Sequence, residues 1–363
     1  MRKTSLTVSG FVLAVLAALP LAAEVQEKPK IGVVVLPVLF NMPETKWGGG
    51  IGGLLTYRPA GSEPSARPSS LYFYAIYTQK KQFSTKWEPE VYLAKEKYLL
   101  KGRFIFEKYP EKFWGVGRHV ADEREEDYTP RSFVLEASFQ KKIWPARNLY
   151  LGLLYQFENF KILKTEEGGQ LAAGTWPGSS GGTISGAGFI VNWDTRDNVF
   201  YPSRGKFWQF STAFCGSFLG SDFDYTSIKL DLRTFFPALP SHVLGVQALY
   251  QAAAGTPPFK SYAKLGGDCM MRGYYSGRYR DKNLLAVQAE YRLPVWWRFG
   301  LVGFAGVANV AEKLGGLGLK DLKYSLGTGI RFKVAPKEGT NLRLDFAWGK
   351  GTSGFYFTAG EAF

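Results

Sequence analysis

The sequence predicts an all-β fold, a 16-stranded antiparallel transmembrane β-barrel, and three observations carry that prediction. Apolar residues alternate with polar or small ones along most of the 363-residue chain, with the period of two that a strand requires. No stretch approaches the roughly 18 consecutive apolar residues of a spanning helix once the first 23 residues are set aside. Aromatic residues make up 16% of the chain and glycine occupies 42 positions, a composition suited to interfacial girdles and close strand packing.

Residues 1–23 read as a secretory signal peptide: Arg2 and Lys3, an apolar run from Phe11 to Leu19, then Ala22 and Ala23 before the expected cut. Residues 24–30 form a short periplasmic N-terminus, and residues 31–363 the barrel. Strands are expected near 31–41, 45–58, 70–79, 84–94, 98–108, 132–143, 148–162, 186–196, 205–216, 223–236, 243–254, 284–294, 299–311, 322–334, 340–349 and 354–363. The clearest alternation sets Leu149, Leu151, Leu153, Tyr155 and Phe157 against Tyr150, Gly152, Leu154, Gln156 and Glu158. A second sets Ile228, Leu230 and Leu232 against Lys229, Asp231 and Arg233. In a barrel the apolar set faces lipid and the polar set lines the lumen.

Connections alternate in length as such a barrel requires. Short turns at 144–147, 237–242, 295–298 and 335–339, with Trp144, Phe236, Trp296 and Trp297 around them, are assigned to the periplasm. Long loops at 109–131, 163–185 and 255–283 are assigned to the outside. The acidic cluster Asp122, Glu123, Glu125, Glu126 and Asp127 reads as a solvated loop, and the Gly/Ser-rich stretch 178–186 as a flexible one.

A formal net charge of +14 suits nucleic acid, but the Lys and Arg residues are dispersed and the chain is exported. No nucleic-acid partner is expected; the charge reads as facing lipid phosphates and a polar lumen. His119 and His242 cluster with no nucleophile, so no enzyme activity, cofactor or metal is expected. Cys215 and Cys269 permit one disulfide at most, or remain two unpaired small residues. The inward Lys229, Arg233, Arg292, Arg331 and Arg343 either pair with Asp231, Glu290 and Asp345 or favour anionic solutes and headgroups.

Pro37 lies inside the first strand, where it cannot donate a ladder bond. Gly354 and Gly360 pack weakly in the last strand. Both features fall where the barrel closes, which marks that seam as its weakest junction unless Pro37 is a tolerated bulge or rim residue.

Four segments together resemble the barrel of the bacterial surface antigen superfamily, the BamA/TamA-type outer-membrane barrels. They are LGGDCMMRGYYSGRYRDKNLLAVQAEYRLP at 265–294, NWDTRDNVFYPSRG at 192–205, NLRLDFAWG at 341–349, and GFYFTAGEAF ending in Phe363. The resemblance implies a location in the bacterial outer membrane and a long surface loop folded inward, carried by Met271, Arg272, Gly273 and Tyr274. Arg272 is then expected to pair with Glu290, Asp345 or both, which alternation turns into the lumen. It also implies a lateral gate at the seam and an assembly signal in Phe363.

This chain departs from the family pattern in reading GFAGVANV at 303–310, with Gly306 or a neighbour where an aspartate is usual. Seven residues between the expected cut and the first strand are too few for a folded domain, so the expectation is a member lacking the periplasmic POTRA domains. Two functions follow: assisting insertion or translocation of proteins or lipids at the outer membrane, or a passive or gated channel for small solutes. Expected partners are outer-membrane lipid, the barrel-assembly machinery during biogenesis, and an unidentified periplasmic partner.

Overall fold

In the computed structural model residues 29–42, 46–63, 66–336 and 339–363 are described; the expected signal peptide and most of the 24–30 segment lie outside the described residues. The strands are β1 (Lys30–Met42), β2 (Lys46–Arg58), β3 (Ser69–Thr78), β4 (Phe83–Leu93), β5 (Tyr98–Lys108), β6 (Glu111–Phe113), β7 (Glu126–Trp144), β8 (Leu149–Lys164), β9 (Gly181–Asp194), β10 (Gly205–Cys215), β11 (Tyr225–Leu239), β12 (His242–Gly255), β13 (Ala263–Leu265), β14 (Tyr279–Asp281), β15 (Asn283–Trp296), β16 (Phe299–Ala311), β17 (Lys323–Ala335), β18 (Thr340–Gly349) and β19 (Thr352–Ala359). Three of these, β6, β13 and β14, belong to loops; the other sixteen build the wall. Each wall strand pairs antiparallel with the next, β5 with β7 and β12 with β15 across the inserted loops. The fold is the expected sixteen-stranded barrel.

Burial is inverted relative to a soluble sandwich. Leu153 and Phe189 are 64% and 53% exposed, whereas Glu290 and Asp345 are 0% exposed. An apolar exterior around a charged interior is what lipid outside and a polar lumen inside demand. Of five register shifts among the described residues, one, at Thr129/Pro130, falls at the long-loop end of β7, and four, at Lys142/Trp144, Pro237/Leu239, Pro294/Trp296 and Lys333/Ala335, fall at the rim with the short turns. Bulges there let Trp144, Trp296 and the neighbouring Trp297 splay outward, where each is largely exposed.

The loops differ from expectation because they pack on one another. β7 starts at Glu126, six residues earlier than predicted, because Glu126–Tyr128 pair with β6. Phe113, Tyr128, Leu171, Phe259 and Tyr262 form a core there that draws on three separate loops and is invisible to local alternation. The acidic cluster is therefore partly structural rather than simply solvated. Lys112 pairs with Glu125 and Asp127, Arg278 pairs with Asp122, and Glu126 is buried. Nor is 178–186 a flexible loop: β9 begins at Gly181, and a Cβ on Gly182 would stand 2.7 Å from the Phe223 ring. Cys215 and Cys269 are both free thiols, the first buried and the second exposed.

The last strand ends at Ala359 rather than Phe363. With Phe355 facing lipid, a continuing strand would point Glu361 into hydrocarbon, which is costly. Gly360, at φ +88°, turns the chain instead, and Glu361–Phe363 enter the lumen. Phe363 is buried there and stacks on Phe235 with ring centroids 6.1 Å apart.

Candidate functional site

Between β12 and β15 the chain runs down into the lumen as a hairpin whose stem is the β13/β14 pair, Ala263–Leu265 against Asp281–Tyr279. The Gly117 N–H donates to the Arg280 carbonyl at 2.8 Å, so the 109–125 loop braces the stem. Outside the wall strands, Glu111 of β6 is half-buried, and the loss of solvent alone would raise its carboxyl. Lys264, Lys260 and the Tyr128 hydroxyl more than offset burial and hold it at about 2. The hairpin tip carries Arg272 and Gly273 in a tight turn. Gly273 has φ +104°, and a Cβ there would lie 2.9 Å from the Trp348 carbonyl carbon, so glycine is required on both counts.

Arg272 is 1% exposed and spans two wall strands. Its Nη1 donates to Asp345 Oδ2 at 2.5 Å and its Nη2 to Glu290 Oε2 at 2.8 Å. The guanidinium lies 3.4 Å from the Phe304 ring centroid, a cation–π contact that fills its third side. The main chain of the tip is held as well. Ser325 Oγ donates to the Arg272 carbonyl, the Gly273 N–H donates to Tyr356 Oη at 2.8 Å, and Thr352 Oγ1 donates to the Gly273 carbonyl at 2.9 Å. Tyr274 Oη donates to the Tyr324 carbonyl at 3.0 Å and accepts from the Lys350 N–H at 2.8 Å. Met271 is fully buried in left-handed backbone, and Gly306 leaves the room for it: a Cβ at Gly306 would stand 3.2 Å from the Met271 sulfur. The Met271 thioether thus fills the space beside Gly306.

Neither carboxylate depends on Arg272 alone. Glu290 also accepts from Arg292 at 2.9 Å and lies 3.5 Å from Arg331; Asp345 also accepts from Arg331 at 2.6 Å and lies 3.7 Å from Arg343. Glu361 joins from the inward-turned segment, 2.7 Å from Arg331 Nε. Four guanidinium groups thus interleave with three carboxylates on the wall between β15 and β19.

A family model described as the Omp85 superfamily domain matches residues 70–363. The chain belongs to the Omp85 superfamily. It is similar in fold to BamA from Haemophilus ducreyi lacking POTRA domains 1–3, at 13% identity and a TM-score of 0.55, over 92% of this chain and 70% of that one. It is also similar to CdiB from Acinetobacter baumannii, at 11% identity and a TM-score of 0.52, over 93% of this chain and 59% of CdiB. No curated protein matches it. As an Omp85 barrel it resides in the outer membrane of a Gram-negative bacterium.

The seam of this Omp85 barrel lies between β1 and β19, and no backbone ladder joins them among the described residues. Pro37 sits opposite Ile51 in an unbroken β1/β2 ladder. The Val34 and Val38 carbonyls point toward Gly53 and Gly49 of β2, so alternation turns the Pro37 nitrogen to the open edge. Its missing donor is therefore missing from the seam side, and it is not a bulge. Gly354 has a different part from weak packing: Tyr356 lies across it to reach Gly273. Sequence reading missed Tyr356, Ser325, Thr352 and Glu361 as neighbours of the loop. For Glu361 a signal existed, since its place on the lipid-facing parity of an extended strand required the strand to stop first.

Proposed function

We propose that this Omp85 barrel assists the insertion or translocation of proteins or lipids at the outer membrane through the β1/β19 seam, without catalysis. One observation carries the reading: β1 and β19, the two ends of the wall, have no ladder between them among the described residues, whereas every other wall strand is paired on both sides. Unmet backbone groups in hydrocarbon are expensive, and an open edge is a template for an incoming strand. Arg272 is the proposed lock that keeps the 255–283 loop in the lumen, so traffic is directed to the seam rather than down the axis. In this reading the short-turn rim faces the periplasm, where an unidentified partner meets the chain. Phe363, proposed as the signal read by the assembly machinery, ends inside the folded barrel and is readable only before folding is complete.

The test joins the seam covalently. With Cys215 and Cys269 first replaced by serine, cysteine pairs are placed across β1 and β19 and oxidised in cells. The joined barrel should change outer-membrane protein and lipid content as deletion does. If the joined barrel behaves as wild type while deletion does not, the seam is not the route. A change confined to uptake of small solutes supports the gated channel instead.

A further inference from the structure

The lumen has two unlike halves. The half between β15 and β19 is filled by the loop and its arginine network. The other half, walled by β4, β5 and β7 to β12 and roofed by Lys260–Lys264, encloses a cavity of about 790 Å³. No residue of β1, β2 or β19 lines it, so it is separate from the seam.

Most charges along this cavity are matched. Lys101 pairs with Glu90 at 2.9 Å, Arg103 with Glu136 at 3.3 Å, and Lys260 with Glu158 at 3.1 Å. Lys229 forms no ion pair or hydrogen bond among the described residues. The two carboxylates in its field are Asp231 and Glu136. Asp231 is held by Arg233 at 2.7 and 3.0 Å and by Gln247 at 2.8 Å, and Glu136 is taken by Arg103. Ser211 and Gln251 flank Lys229 directly across the neighbouring strands, and their side chains are likewise uncommitted. Lys264 enters from the roof, in a loose ion pair with Glu111 at 4.0 Å.

The geometry points to a binding site for a small hydroxylated organic anion bearing a single phosphate or carboxylate, with Lys229 as its principal charge and Lys264 as its second. An ammonium with free amide and hydroxyl neighbours supplies charge and hydrogen bonds to such a headgroup. The volume falls within the roughly 300–1,000 Å³ of small-molecule sites. The lining exposes more polar than apolar surface, which suits a soluble anion better than an acyl chain.

Calorimetric titration of the full chain, in a phosphate-free detergent, tests this with sn-glycerol 3-phosphate, inorganic phosphate and uncharged glycerol. Glycerol 3-phosphate should bind saturably and more weakly as salt is raised, and glycerol should not bind. Lys229→Met should weaken binding at least about tenfold, or about 1.4 kcal/mol, while heat-modifiable migration is kept. Should that variant not fold, Lys229→Arg should retain binding and Gln251→Leu should weaken it. Absence of saturable binding, or equal affinity in Lys229→Met, overturns the site. Either result leaves the seam untouched, because the two lie on different walls.

Discussion

Arg272 bridges Asp345 and Glu290, yet each carboxylate keeps a second arginine when Arg272 is removed. Arg272→Ala therefore leaves no orphaned carboxylate and costs about 1.5–3 kcal/mol, the worth of a sheltered charge-assisted bond. The barrel should stay folded while the loop becomes open to protease. Glu290→Gln with Asp345→Asn is a harsher change, because Arg272, Arg292, Arg331 and Arg343 are then left with Glu361 and the half-exposed Asp268 as their carboxylates. Folded yield on gels should fall below that of Arg272→Ala, and equal yields would show that the arginines are screened by lumen water. Gly354→Ala forces Tyr356 off its glycine shelf and breaks its bond to Gly273. Protease should then cut the loop as in Arg272→Ala, and an uncut loop would remove Tyr356 from the lock. Arg272, Glu290 and Asp345 were named from a motif and strand parity alone, and their charged groups lie in contact. Parity works here because lipid on one side makes the period of two strict. Tyr356, Ser325 and Thr352 were not legible, since their role is set by where a loop tip comes to rest.

At the scale of elements, the sixteen wall strands were readable, whereas β6, β13 and β14 were not. A wall strand declares itself by alternation along its own length; these three-residue pieces form only because loops distant in sequence pack together. The end of β19 was misjudged for a related reason: an aromatic final residue suits the lipid face, but Phe363 is instead covered by Phe235. The seam gives a prediction with residue resolution. In a detergent micelle, the amides of Val33, Val35 and Leu39 point to the open edge and should exchange faster than those of Val34, Leu36 and Val38, which face β2. Uniform protection along β1 would mean that a second ladder covers the edge.

Across the whole molecule, a basic composition of formal net charge +14 is distributed unevenly between paired and unpaired lumen charges. Lumen arginines are matched on the β15–β19 wall, and Lys229 stands out on the opposite one. A barrel of this strand number left empty encloses an aqueous channel; here the loop occupies part of it, and among the described residues no ladder closes the seam. Two routes are thus distinct, one along the axis and one sideways. Single-channel recording of the purified barrel in a planar bilayer decides between them. Wild type should show little steady conductance, and Arg272→Ala should add large, fluctuating openings as the loop loosens. Large steady openings in the wild-type barrel, unchanged by Arg272→Ala, would contradict a lumen closed by this loop.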